Sequence, residues 1–529
     1  MCRTRDITMM DLTTSIYTFE NLINGDFQYV DKTEYVWKLI RPVKEMYFLS
    51  RPRRFGKSLL ISTLKAVFEG KRDLFKGLAL YDKPYDWKRH PVVHLDMGNC
   101  NVRTAEDLSK YLRDQLENIA SSFGIQLRGE LLANCFENLI TDLAKQGAPV
   151  ILVDEYDKPI LNNVTKSRAK DILLELKGFY STIKKTERLL RLTFITGVSK
   201  FCHVSLFSDL NNLTDITLSP DYAGMLGFTE AEVRKYFADR IPEAARTNEV
   251  SEEELMENLM KWYDGYRFST AETHVCNPVS ITKFFADGYR FSNYWDSTGT
   301  PSFLLELMAK RAYNHEASLN EWYSEGIFSA YELDHLDITG MLWQTGYLTI
   351  KEIRRGITGM QYRLDFPDME VRQTFMNRLL EFYAGVGQGT SGSIIERFCA
   401  AILQDDLEKL MREFQSFLAG ISYSLHIPLE KYYQTIFFIV FKLLGCYIEA
   451  ESCTNEGRID AYIRTPKAVY IFEFKLNKSA RKAVAQIVDR HYYEKFYGCG
   501  LPVRMIGVNF DCSKGRIDSW KEKEPPANV

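Results

Sequence analysis

Short continuous apolar runs alternate with stretches of helical spacing over the first two hundred residues. The runs are "EMYFLS" (Glu45–Ser50), "PVVHLDMG" (Pro91–Gly98), the centre of "APVILVDEYDKPI" (Ala148–Ile160) and "LLRLTFITGVSKF" (Leu189–Phe201). Between them, apolar positions three and four apart predict helices over 59–70, 105–121, 130–145 and 168–185. Unbroken apolar runs fit strands buried on both faces, so the alternation predicts a mostly parallel, doubly wound α/β sheet. From Thr229, a helix cap with Glu230 and Glu232 in the first turn, helical spacing dominates to about 385. "WQTGYLTI" and "QYRLDFP" interrupt it as a strand pair, and Trp262, Tyr263 and Trp295 read as packing residues. "AGVGQGTSGS" (Ala384–Ser393) reads as a turn-rich linker. Beyond it a long apolar helix (Leu429–Leu444) leads into "CYIEAES", "RIDAYIR", "AVYIFEFK", a helix over 479–496 and "VRMIGVNFD". The order there is αβββαβ.

Composition narrows the class. With 529 residues, 45% hydrophobic and 26% charged, the chain suits a soluble globular protein of two to four domains. A formal net charge of −3 excludes a global basic field, though not a local basic groove. No apolar run reaches the roughly 20 residues that span a bilayer, and the amino terminus lacks the apolar segment of a secretory signal. Ten scattered cysteines form no CxxC pair. A cytoplasmic protein with free thiols and no membrane partner is the expectation.

Candidate chemistry begins at "FLSRPRRFGKSLLIS" (Phe48–Ser62). Gly56, Lys57 and Ser58 fit the end of a phosphate-binding loop, while Arg51 stands where its first glycine belongs. Strand, loop and helix follow one another as such a loop requires. Backbone N–H groups from Arg53, Arg54, Phe55, Gly56, Lys57, Ser58 and Leu59 would cradle phosphates, Lys57 would neutralise the outer ones and Ser58 would ligate Mg2+. Arg53 and Arg54 have open roles: phosphate, a neighbouring subunit or solvent. Arg51 before Pro52 is pushed towards an extended path, which leaves binding with slow hydrolysis open. The apolar strand ending in Asp154 and Glu155 supplies the second half: Asp154 for the magnesium-bound water, Glu155 to orient the attacking water. Thr196 and Ser199 stand where a γ-phosphate sensor would sit. An extra strand between the two motifs resembles the ATPase branch that uses a catalytic glutamate.

The last segment carries a second centre. If Pro466 and Lys467 form a two-residue turn, Asp460 faces Glu473 across a hairpin, and Lys475 shares the face of Glu473. Two opposed carboxylates need a cation between them, which magnesium and Lys475 would supply. Lys475, Lys478, Arg481 and Lys482 form a basic run suited to phosphate backbone.

"FQYVDKTEYVWKLI", "FLSRPRRFGKSLL", "VILVDEYDKPI" and "TFITGVSKF" together resemble the AAA-ATPase-like family, akin to the archaeal ATPases and the signal-transduction ATPases with numerous domains. That family often writes its loop Arg-Pro-Arg-Arg-Phe-Gly-Lys-Ser. The hairpin resembles the PD-(D/E)XK nuclease-like domain that ends many of its members, here Asp460, then Glu473-Phe474-Lys475. The resemblance implies metal on Asp460 and Glu473, catalysis by Lys475, and Gln486 as a fourth element. Glu430 and Gln434 lie one turn apart, and neither clearly supplies the first-helix acid. The implied architecture is a P-loop NTPase sheet of the ASCE type (1–228), a helical lid with a winged-helix-like part (229–385) and a restriction-endonuclease-like domain (395–529). The implied function is an ATP-binding, hydrolysing switch joined to a nuclease-like effector on DNA (or RNA), with ATP and Mg2+ as cofactors and a homo-oligomer open. The alternative is a nucleotide-dependent scaffold with an inactive nuclease-like domain.

Overall fold

The computed structural model describes residues 10–163, 168–200, 206–207, 210, 212–295, 302–311, 313, 315–329, 337–387, 389–420, 429–447, 449–455 and 458–526. The chain divides into two compact units, Met1–Trp295 with Trp322–Asp368, and Asp296–Glu321 with Met369–Val529.

The first unit is built on five parallel strands: β1 (Glu45–Ser50), β2 (Val92–Asp96), β3 (Val150–Asp154), β4 (Leu192–Gly197) and β5 (Thr214–Asp215). Their order is β2-β3-β4-β1-β5. The strand after the acidic motif, β4, therefore stands in space between the phosphate-loop strand β1 and the acidic strand β3. Phe48, Val93, Leu95, Ile151, Val153 and Ile195 are all fully buried, which explains why these strands read as continuous apolar runs. Helices α1 (Phe19–Asn24), α2 (Thr33–Ile40), α3 (Lys57–Phe68), α4 (Ala105–Ser122), α5 (Leu132–Leu143), α6 (Lys158–Leu161) and α7 (Ala169–Lys185) accompany the sheet. The Thr104 hydroxyl caps α4 by accepting from Asp107 N–H, and Leu108, Leu112 and Leu116 form its single buried stripe. Phe136 of α5 stacks on Phe179 of α7 at 4.5 Å.

In the middle of the chain, Thr229 and Glu232 form a reciprocal capping box on the helix Glu230–Tyr236. Tyr263 is fully buried against Phe284 and Phe291, and Trp295 packs edge-on against Tyr347 at 4.8 Å. The expected strand pair is present. Strands β6 (Trp322–Ser324), β7 (Thr349–Gly356) and β8 (Gly359–Asp365) form a small sheet in the order β6-β8-β7, with helix α8 (Ile338–Thr345) between β6 and β7 in the chain.

The second unit contains the apolar helix α9 (Leu429–Tyr447) and strands β9 (Glu449–Asn455), β10 (Arg458–Arg464) and β11 (Val469–Leu476). Helix α10 (Ala480–Asp489) and strands β12 (Val503–Asp511) and β13 (Arg516–Lys523) follow. Sheet order is β13-β12-β11-β10-β9, with β11 and β12 parallel and the other neighbours antiparallel. Three local readings change. The glycine-rich stretch is shorter than a linker, because Ala384 ends the helix Met369–Ala384, Thr390 already opens the helix Thr390–Leu403, and both helices belong to the second unit. The helix expected over 479–496 stops at Asp489 and leaves only a 3-10 turn at Glu494–Phe496. Strand β13 was not expected; "RIDSWKEK" is an exposed edge strand whose charges blunt further pairing.

Gly507 sets how closely α10 approaches the sheet: a Cβ there would lie 2.4 Å from Ala480 O and 2.7 Å from a Val484 methyl. Gly507→Val is expected to destabilise this unit by about 1–3 kcal/mol through overpacking, read as a lower urea midpoint. An unchanged midpoint would contradict the close approach.

Candidate functional sites: a phosphate loop and a carboxylate–lysine pair

Gly56, at φ +93°, provides the left-handed turn from which α3 departs, and Arg54 is left-handed as well at φ +68°. The residue in place of the first loop glycine is not solvated. Arg51 is 1% exposed, donates from Nη1 to Ser50 O (3.0 Å) and Thr217 O (2.7 Å), and lies 4.4 Å over the Phe268 ring. Burial brings its guanidinium down to about 9, against the pull of Asp215, so it stays charged at neutral pH. Phe55 is wedged between Tyr266 (4.7 Å) and Phe268 (5.3 Å). The loop's unusual first residue is thus an anchor: it fastens the loop to the β5 end and to an aromatic wall.

Lys57 is buried and donates to two loop carbonyls, Arg51 O (2.9 Å) and Pro52 O (2.8 Å). Burial depresses its ammonium, while Asp154, Glu155 and Asp157 pull it back up. Arg53 adds positive field beside it, and Arg54 donates to Tyr294 O at 2.8 Å. The carbonyl of Leu59, in the first turn of α3, accepts from the Thr63 hydroxyl.

The acidic strand meets the start of α3 at Ser58, which shares one cleft with Asp154. Asp154 is 4% exposed, and burial raises its carboxyl above the ordinary range, with the nearby Ser58 hydroxyl and the Lys57 charge opposing. Glu155 sits at φ +52° with Lys158 Nζ 3.3 Å away. Ser58, Asp96, Asp154, Glu155 and Lys158 line a cleft of about 470 Å³. The lining also carries Lys65, Lys71 and His94, and within it the Ser58 hydroxyl and the Asp154 carboxylate are oxygen donors of the kind magnesium takes. Thr196 and Ser199, expected as phosphate sensors, both have internal partners: Thr196 donates to Leu49 O (2.9 Å), Ser199 to Asp157 (2.7 Å).

In the second unit the hairpin register pairs Asp460 with Glu473 and Arg458 with Lys475. Lys475 Nζ lies 2.7 Å from Glu473 Oε1 and also donates to Gln486 Oε1 on α10. Glu473 is fully buried and Lys475 nearly so. Three of the four expected elements are therefore brought together by strand alternation and by α10. The side chains of Asp460, Glu430 and Gln434 lie outside the described residues, so only the backbone positions of these three are placed.

Residues 13–207 match the family described as a predicted AAA-ATPase, and 429–520 match the PD-(D/E)XK nuclease superfamily. The chain is 35% identical over 515 residues to "Uncharacterized protein in vnfD 5'region" of Azotobacter chroococcum mcd 1, covering 94% of this chain and 96% of that one. The chain belongs to this AAA-ATPase-like family and carries a PD-(D/E)XK nuclease-superfamily domain at its carboxyl end. Among solved structures, the Aeropyrum pernix ORC2 protein in its ADPNP and ADP complexes matches with 12% identity and a TM-score of 0.24, over 68% of this chain and 92% of that one. A likeness at that level bears on neither the site nor the function of this chain.

In this AAA-ATPase-like chain, sequence reasoning missed Asp157 and Asp96. Asp157 was visible as a third acid in "VDEYDKP", yet nothing local shows that it turns inward. Were Asp154 to hold magnesium, protons would compete with the metal there as pH falls, because burial raises its carboxyl above the usual range. Thermal stabilisation by magnesium–ATP is therefore expected to be larger near pH 8 than near pH 5.5. An equal shift at both pH values would remove Asp154 from the metal site.

Proposed function

We propose that the chain is an ATP-binding and ATP-hydrolysing switch coupled to a metal-dependent nuclease-like effector that acts on nucleic-acid phosphodiesters. The carrying observation is the cleft on which Ser58, next to the glycine–lysine pair, lies together with Asp154 and Glu155 from the end of the acidic strand. In this reading Lys57 leaves the Arg51 and Pro52 carbonyls for the outer phosphates. The N–H groups from Arg53 to Leu59 hold phosphate oxygens at the α3 amino terminus. Ser58 and Asp154 would hold magnesium, and Glu155 would orient the attacking water. Thr196 and Ser199 act as phosphate sensors only by exchanging their present partners.

At the carboxyl end, Asp460 and Glu473 would hold one divalent metal, which supplies an activated water and charge stabilisation when bound. Lys475 stabilises the developing charge on phosphate, held in place by Glu473 and Gln486. Lys478, Arg481 and Lys482, at the start of α10, supply backbone contacts to DNA or RNA without reading sequence. The cytoplasm is the compartment this chemistry suits. Among the described residues no helix is long and apolar enough to cross a membrane.

Lys57→Ala is expected to lose ATP binding, and Glu155→Gln to keep binding while hydrolysis falls about 100-fold or more. Equal hydrolysis by wild type and both variants would remove the assignment. Asp460→Ala is expected to abolish magnesium-dependent cleavage with an unchanged melting temperature; cleavage at the wild-type rate would move the nuclease chemistry elsewhere.

A further inference from the structure

The residue after β3, Glu155, has the backbone of a glycine: its φ is +52°. Side chains rarely hold that conformation unless their surroundings impose it. Here the imposing contacts come from the next two residues. Tyr156 N–H donates to Thr196 O (3.1 Å), and its hydroxyl donates to Ser199 O (2.8 Å). The Asp157 carboxylate, 1% exposed, accepts from Ser199 N–H (2.8 Å), the Ser199 hydroxyl (2.7 Å) and Val198 N–H (3.3 Å). All three donors belong to the segment that leaves β4. Gly197 makes room for this: a Cβ there would stand 2.5 Å from Asp157 Oδ1 and 2.6 Å from the Tyr156 ring.

The turn Glu155–Asp157 is thus fastened from beneath to the end of the neighbouring strand, with the Glu155 carboxylate left on the wall of the cleft beside Ser58 and Asp154. The fastening continues beyond β4. Lys200 N–H donates to Gln344 Oε1 (3.0 Å) on α8, and Lys200 Nζ pairs with Asp215 at 2.7 Å.

We propose that Asp157 is a positioning residue for ATP hydrolysis: it holds the end of β4 so that Glu155 is kept in its left-handed conformation, aimed into the cleft. Asp157 does not itself touch nucleotide. The inference rests on the ATPase reading, and adds to it that the hydrolytic glutamate is set by the strand next to its own. A shift of the 198–200 segment, which α8 also holds, would reach Glu155 through the Asp157 carboxylate and the Tyr156 hydroxyl.

The test uses the full chain, with magnesium–ATP binding, steady-state hydrolysis and melting temperature measured on each variant. Asp157→Asn keeps the shape but replaces one acceptor oxygen with a donor facing N–H groups. Its kcat is expected to fall about 100-fold, the scale of losing a positioned base, with KM and ATP affinity within about threefold of wild type. In the double variant with Glu155→Gln, hydrolysis is expected to be no slower than in Glu155→Gln alone, because both changes remove one function. Gly197→Ala, which displaces Asp157 without altering it, is expected to give the same kcat-only loss and keeps the inference testable if Asp157→Asn fails to fold. An unchanged kcat, a loss of affinity in step with kcat, or additive losses in the double variant would overturn the role of Asp157 alone. Wild type that binds ATP without hydrolysing it would overturn the hydrolytic reading together with this inference.

Discussion

Charge buried at the carboxyl ends of a parallel sheet is the constraint on which the first unit depends. Arg51, Lys57, Asp154 and Asp157 are each less than a tenth exposed, and none of them can be left in a low-dielectric interior without partners. The fold answers with geometry. Carbonyls at the end of β1 and of the β5 segment take Arg51, loop carbonyls take Lys57, Ser58 meets Asp154, and the β4 end meets Asp157. Opposite charges also face each other, since the three acids at and just past the end of β3 raise the Lys57 ammonium against the cost of its burial. With β4 standing between β1 and β3, the start of α3, which follows the cationic loop, and the acidic turn meet on one cleft without their strands pairing.

The same constraint governs the second unit on a smaller scale. Glu473 is fully buried on β11, and its companion two residues on, Lys475, neutralises it at 2.7 Å. Strand alternation puts the pair on one face, Gln486 closes it from α10, and Gly507 lets α10 lie close enough to do so. Breaking a buried pair by removing one partner costs several kcal/mol, typically about 3–5. A metal entering here must therefore compete with Lys475 for the Glu473 oxygens.

Much of this was legible because the decisive signals are short-range. Gly56-Lys57-Ser58 follows an apolar strand and opens a helix, and Asp154-Glu155 ends another strand; both are statements about adjacent residues. The pairing of Asp460 with Glu473 follows from a two-residue turn at Pro466 and Lys467, because strand period carries the register outward from it. What escaped depends on residues far apart. Arg51 reads as a defect in its own loop and becomes an anchor only through Thr217 O and the Phe268 ring, each more than 160 residues away. Asp157 is one more acid after a strand until the β4 end supplies its three donors. Thr196 and Ser199 looked available because sequence shows hydroxyls and not their partners. Strand β13 lacks the apolar alternation of a half-buried strand, since an edge strand needs little of it.

The central claim is that nucleotide at the phosphate loop governs the chemistry of the carboxyl-terminal domain. Its most direct measurement is magnesium-dependent nicking of plasmid DNA by the full chain without nucleotide, with ATP and with ADP, beside Lys57→Ala and Glu473→Ala. The expected result is nicking that differs between nucleotide states in the wild type, no such dependence in Lys57→Ala, and none at all in Glu473→Ala. Equal nicking by the wild type in every nucleotide state, or nicking that survives Glu473→Ala, would contradict the claim.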